Sequence, residues 1–212
     1  SAHDIAAALW ENGAEVTMIQ RSSTLIVTAE SLRWLQRGLY SEEALAAGIS
    51  TEQADLLSAA TPYRLVPAMS IPAWDRIQEM DADLYSRLSE VGFRLDFGTD
   101  GSGLGMKYLT RAGGYYVDVG ASELVASKQI TLCSGVEVEE LSTDSVVLSD
   151  GRHLPADLIV YATGFGPFRD TLVDLLGAEV ADRVGPVWGL GSDRPLDPGP
   201  WEGELRNVYK PT

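Results

Sequence analysis

The stretch Asp157-Leu158-Ile159-Val160-Tyr161-Ala162-Thr163-Gly164-Phe165 constrains the fold more than any other part of the chain. After an aspartate it runs through leucine, isoleucine, valine and tyrosine into two small residues and a glycine. A short apolar run of this kind predicts a strand buried in a sheet covered on both faces. Gly164 permits φ > 0 or the close approach of another group to the backbone. In an α/β sheet the ligand crevice lies outside the carboxyl ends of the strands, so a small, open strand end predicts a binding edge. A core strand followed by a plain turn fits the same residues. The rest of the chain has to decide.

The start of the chain bears on that decision. Residues 1–13 predict a helix, rich in alanine, with Ile5, Ala8, Leu9 and Asn12 on one face and Asn12-Gly13 as its stop. Glu15–Gln20 predicts a strand, and Arg21-Ser22-Ser23 follows it. Helix, glycine turn, strand is the second half of a βαβ unit. The expectation is that this sequence starts inside a G-x-G-x-x-[G/A] loop, with Ala2 at its last position and the first strand upstream. In such a unit the residue just past the second strand meets the adenine ribose. A carboxylate there accepts from the 2′-OH and selects NAD, whereas an arginine pairs with a 2′-phosphate and selects NADP. Arg21 stands at that place with Ser22 beside it. An exposed arginine at a strand end is the plain alternative.

Composition excludes several classes. The net charge of −15 leaves no basic stripe for nucleic acid. It does not exclude a phosphate-bearing cofactor, because helix N–H groups and one or two arginines suffice locally. One cysteine and two histidines, far apart, supply metal chemistry poorly. Cys133 cannot form an internal disulfide and predicts a buried, small apolar residue in a reducing, cytoplasmic setting. No run approaches the ~18–20 apolar residues of a bilayer span, and no signal-like segment opens the chain. His3 is expected on a helix surface.

Residues 24–104 predict helices at Ala29–Tyr40, Ser41–Ala47, Thr51–Ala60 and Trp74–Val91, separated by Pro62, Pro67 and Pro72. Thr51 is the expected cap of its helix. The segment reads as a helical insertion packed on a sheet edge, or as a lid or substrate-channel wall. The glycine-rich residues 95–105 read as a mobile loop. Gly113–Gly120 predicts a turn and short strand, Ala121–Ser127 a helix and Gln129–Cys133 a strand. Val136–Leu141 and Ser145–Leu148 then form a meander, with Asp150-Gly151 as a hairpin turn, leading into Asp157–Tyr161. Beyond it, Phe165–Gly177 predicts a turn and short helix, Val187–Gly191 a strand, and Asp193–Trp201, with three prolines, a surface loop.

A meander feeding the last strand of a nucleotide-binding sheet is the layout of flavoproteins with two dinucleotide-binding domains. The chain resembles the flavin-containing monooxygenase family, which uses FAD and NADPH. The resemblance rests on Ser1-Ala2-His3-Asp4-Ile5-Ala6 (the family reads G-x-G-N-S-A-x-D-I-A), Gln20-Arg21-Ser22, Gly114–Gly120 and Ala162-Thr163-Gly164-Phe165, similar to the family's A-T-G-[FY]. It is weaker over residues 24–104.

The resemblance implies an α/β, Rossmann-like FAD/NAD(P)-binding flavoprotein fold with a β-meander and a helical insertion, truncated at both ends. The implied NAD(P)H domain is discontinuous, residues 1–23 and 105–165. Residues 24–104 form the insertion, and 166–212 connect back toward an FAD domain. The implied activity is that of an oxidoreductase: NADPH reduces FAD, and a flavin hydroperoxide formed with O₂ oxygenates a small organic substrate. The implied cofactor-binding residues are Ser1 and Ala2 at the pyrophosphate, Arg21 and Ser22 at the 2′-phosphate, and Ala162, Thr163 and Gly164 in the crevice. No catalytic residue and no metal ligand is implied. The FAD fingerprint and the first glycines of the NADP loop are not in the sequence, so the chain alone is expected to be inactive. A pyridine-nucleotide-dependent flavoprotein reductase is an alternative, against which the lack of C-x-x-C speaks. A non-catalytic nucleotide-binding or interaction module is another.

Overall fold

The computed structural model describes residues 2–62, 65–98, 100–111, 113–164, 166 and 168–184 of the 212-residue chain. The architecture is mixed α/β, with small parallel and antiparallel sheets among the described residues. In chain order the first elements are α1 (Ala2–Glu11), β1 (Thr17–Gln20), β2 (Leu25–Thr28), α2 (Ala29–Gln36), α3 (Glu42–Ala46), α4 (Thr51–Ala59), α5 (Val66–Met80) and α6 (Ala82–Glu90). There follow α7 (Leu104–Arg111), β3 (Tyr115–Asp118), α8 (Ala121–Ala126), β4 (Thr131–Ser134), β5 (Val138–Leu141), β6 (Ser145–Leu148), β7 (His153–Pro155), α9 (Phe168–Leu176) and α10 (Ala178–Val184). The chain divides into two compact units.

The first unit comprises Ser1–Thr28, Met80–Asp96 and Tyr116–Thr163. Its α1 ends where the sequence predicts: the Asn12 N–H bonds back to Ala8 and Leu9, and Gly13 turns the chain at φ +84°. β1 then pairs in parallel with β4, Thr17 opposite Thr131 through Gln20 opposite Ser134. A second pair, β2 with β3, carries Leu25, Ile26 and Val27 completely buried. The antiparallel meander β5-β6-β7 turns at Asp150-Gly151, where the Gly151 N–H bonds to Leu148 at 2.8 Å and φ is +83°. Cys133, Val136, Val146 and Leu148 form a buried cluster under the meander, joined by Ile19 of β1, Leu154 and Ala156. Cys133 is a free, buried residue, as expected from the sequence.

The second unit comprises Ala29–Glu79, Phe97–Tyr115 and Gly164–Thr212. Two of its helices, α3 and α4, are capped by side chains. Ser41 accepts from the Ala44 N–H, and Ser50 with Gln53 forms a reciprocal capping box at α4. Trp74 and Ile77 of α5 are its largest fully buried side chains among the described residues. Leu172 and Ala181 bury the seam between α9 and α10.

Several expectations are corrected. The central one is Asp157–Tyr161, which forms no strand. Residues 157–164 make no hydrogen bond among the described residues, and Leu158 and Tyr161 are 68% and 71% exposed. Apolar composition supplies only the burial term of a strand. The backbone term needs a neighbouring strand to bond with, and none lies beside this run among the described residues. The meander's last strand is instead β7. β2 lies inside the stretch expected to be helical. The expected helix 74–91 is two helices parted at Asp81, and Pro72 lies inside α5 instead of ending it. An internal proline costs about 3 kcal/mol. Burying Trp74 and Ile77 offsets it at roughly 2–3 kcal/mol each. The helix cap is Ser50, one residue before the expected Thr51.

The glycine-rich loop is packed, not loose. Ser102 is fully buried, and the Gly103 N–H bonds to the Phe97 carbonyl at 2.8 Å. His3 is buried too, because α1 presents His3 and Ala6 inward, one turn apart, while Ala8 and Asn12 face solvent. The expected strand at Val187–Gly191 and loop at Asp193–Trp201 lie outside the described residues. Among those residues no helix is long and apolar enough to cross a membrane.

Candidate functional site

β1 ends at Gln20, whose side chain is buried. Its carboxamide bonds both ways to Arg94, accepting the Arg94 N–H at 2.8 Å and donating to the Arg94 carbonyl at 3.0 Å. The same amide donates to the Thr24 hydroxyl at 3.3 Å. Thr24 in turn donates its N–H to the Arg94 carbonyl at 2.9 Å and accepts from Asp96 at 3.3 Å. On the far side, the Ser134 hydroxyl at the end of β4 donates to the Gly92 carbonyl at 2.5 Å. Segment 92–96 is thus stitched against the carboxyl ends of both parallel strands.

That stitching holds Arg94 beside the turn that carries Arg21. The Arg94 guanidinium donates through Nη1 to the Arg21 carbonyl at 3.1 Å. Arg21 and Ser22 are exposed on the turn itself, and the Arg94 side chain also faces solvent. Among the described residues neither arginine makes an ion pair. Arg87, by contrast, pairs with both Asp83 and Glu123. Guanidinium groups without an ion pair, near a hydroxyl able to donate, suit a phosphomonoester.

The remaining sequence-predicted residues stand apart from this turn or beyond description. Ala2 opens α1, half-buried, and Ser1 lies outside the described residues. Ala162, Thr163 and Gly164 are exposed and without regular structure, and Gly164 takes φ +78°, the conformation its glycine allows. Phe165 lies outside the described residues. Sequence reasoning misses Arg94. It lies 73 residues from Arg21, and no local motif marks it.

His3 seals α1 onto β3. Its ring stacks on Tyr116 with centroids 4.4 Å apart and lies 5.8 Å from Phe93, the buried neighbour of Arg94. Burial, and secondarily the amino-terminal charge, lowers its pKa from 6.5 to about 4, against the opposing pull of Asp118 and Asp4. The Nε2 atom has no hydrogen-bond partner. Asp118 accepts from Gly120 and Ser122, opening α8. Burial raises the Tyr116 pKa as well.

A pH dependence follows. Unfolded, His3 titrates near 6.5; folded, at about 4. Between these values the unfolded chain takes up the proton and the fold resists it, so stability rises with pH. The full contribution is present above about 6.5 and is lost as pH falls toward 4. Moving from about pH 7.5 to about pH 5 is expected to cost about 2 kcal/mol through this residue. Urea unfolding at both pH values checks this, with His3→Phe expected to keep the stacking and lose that slope. An equal slope in both proteins would assign the dependence elsewhere.

No protein-family model matches this chain, and no curated protein sequence matches it either.

Proposed function

We propose that this chain is the NADP(H)-binding portion of a flavin-dependent monooxygenase, with a Rossmann-like dinucleotide-binding architecture. The observation that carries the reading is the position of Arg21: exposed, without an ion pair among the described residues, at the carboxyl end of β1, directly after the α1–turn–β1 unit. A mononucleotide-binding unit meets the adenine ribose at that place. Arg21, with the Ser22 hydroxyl, fits a 2′-phosphate, and the positive end of α1, beginning at Ala2, favours a pyrophosphate. NADPH bound here supplies a hydride for reduction of a flavin, and reduced flavin activates O₂ for oxygenation of a small organic substrate.

This chain's own part is to bind and orient. Arg21 selects the phosphorylated ribose, and the exposed residues Ala162, Thr163 and Gly164 offer small side chains and an open backbone for close approach of the cofactor. The flavin and the chemistry that depends on it call for residues beyond those placed here. The lone buried cysteine and the acidic surface accord with a cytoplasmic protein.

The test is a calorimetric titration of the 212-residue chain with NADP⁺ and with NAD⁺. NADP⁺ is expected to bind about tenfold tighter or better, and Arg21→Ala to abolish the difference. Equal affinity for both dinucleotides in the unsubstituted chain overturns the reading.

A further inference from the structure

We propose that Arg94 is the second arm of the phosphomonoester site, and that Gln20 is the positioning residue that holds it there. The inference rests on the reading of Arg21 given above, and extends it to residues no sequence motif marks.

The first argument is electrostatic. The Arg94 guanidinium lies at the Arg21 main-chain carbonyl, and neither arginine makes an ion pair with a carboxylate among the described residues. A dianion that both guanidinium groups reach would be held by charge-assisted hydrogen bonds from each.

The second argument is preorganisation. An ordinary surface arginine is anchored only at its own Cα. Here the Arg94 main chain is held by the Gln20 amide on both its N–H and its carbonyl, and by Thr24 on the carbonyl. Its neighbour Phe93 is buried against His3. The guanidinium is steadied by the Arg21 carbonyl through a single N–H, which leaves four of its five donors for a ligand. A fork held this way loses little conformational freedom on binding.

The third argument is chemical. Two guanidinium groups present donors only, and the Ser22 hydroxyl can add another, which suits an anionic oxygen ligand. Its source is either a ribose 2′-phosphate or any free phosphate. The position at the carboxyl end of β1 favours the ribose-borne group.

The experiment uses the 212-residue chain at low ionic strength, where exposed charges are least screened. Affinities for 2′-AMP, 5′-AMP and inorganic phosphate are measured by calorimetry, with circular dichroism confirming that each variant is folded. Arg94→Ala is expected to weaken 2′-AMP binding about tenfold and to leave 5′-AMP unchanged, with Arg94→Lys recovering part of the loss. Gln20→Leu, which keeps both arginines, is expected to lose 2′-AMP affinity in the same direction, and Gln20→Glu to lose less. If Arg21→Ala abolishes 2′-AMP preference while Arg94→Ala leaves it intact, the role of Arg94 is overturned and that of Arg21 stands. If Arg94→Ala weakens inorganic phosphate and both nucleotides equally, the site is a general anion patch, and the ribose-borne assignment is overturned. If the unsubstituted chain does not distinguish 2′-AMP from 5′-AMP, both readings fall together.

Discussion

Gly103→Ala is expected to unfold or nearly unfold the helical unit that contains it. A Cβ at this position would lie 1.9 Å from Trp74 Cε2 and 2.0 Å from Cδ2, far inside contact distance. Trp74 is 1% exposed and fixed within α5, so it cannot swing aside as a surface side chain would. The Gly103 backbone also sits at φ +77°, which an L side chain adopts only at a cost. Overpacking and backbone strain together give about 4 kcal/mol or more, comparable with the whole stability of a marginal domain. Gly101→Ala is the matched control. It has nearly the same backbone, φ +76°, but open space around the added methyl. It is expected to cost about 1 kcal/mol. Urea unfolding followed by tryptophan fluorescence separates the two. Equal costs would mean that the approach of the loop to Trp74 does not limit stability.

The second large effect is at Asp81. This buried carboxylate stands at the start of α6, yet its side chain does not cap that helix. It reaches back across 53 residues to the end of β2, accepting the Thr28 N–H at 3.0 Å and the Thr28 hydroxyl at 2.9 Å. Tyr85, one turn along α6, donates its hydroxyl to the Ile26 carbonyl at 2.8 Å. Its pKa is pushed well up by burial, by the nearby Asp81 charge and by their hydrogen bond. Asp81→Ala removes the acceptor of two Thr28 donors in a buried setting, for about 4 kcal/mol at roughly 2 kcal/mol per charge-assisted bond. Asp81→Asn keeps one oxygen acceptor and is expected to cost less than half as much. Chemical denaturation of the three proteins at neutral pH is the check. A cost below about 1 kcal/mol for Asp81→Ala would remove the strand-end clasp from the account of stability.

These two residues show which parts of the fold can be read from sequence. Features set by neighbours in the chain were legible. Asn12-Gly13 ends α1, Asp150-Gly151 turns the hairpin, and the apolar run Val146-Val147-Leu148 marks β6. The capping box Ser50-x-x-Gln53 is equally legible, although Thr51 beside it has the same capping chemistry and shifts the expected cap by one residue. β2 was written in Leu-Ile-Val-Thr and was absorbed into the helical stretch around it. What was not legible depends on partners distant in sequence. A strand at Asp157–Tyr161 needs a neighbour that composition cannot supply. The burial of His3 depends on Tyr116, and the tethering of Arg94 on a glutamine amide 74 residues away. Half of the candidate site, Arg21 and Ser22, follows from the order of local elements. The other half, Arg94 with Gln20, exists only in three dimensions.

The uncovered run of Leu158, Ile159, Val160 and Tyr161 has a colloidal consequence. It is a short, proline-free, β-prone segment in open solvent, the kind of sequence that nucleates intermolecular pairing. At neutral pH the formal charge of −15 keeps molecules apart by repulsion, with no help from the shape of this surface. Near the isoelectric point of 4.4 that repulsion disappears, while the apolar run is unchanged. The same acid range is where the buried imidazole of His3 turns against the fold. The dispersal of this protein in water is therefore governed by its charge, and acidity removes that safeguard and weakens the fold together.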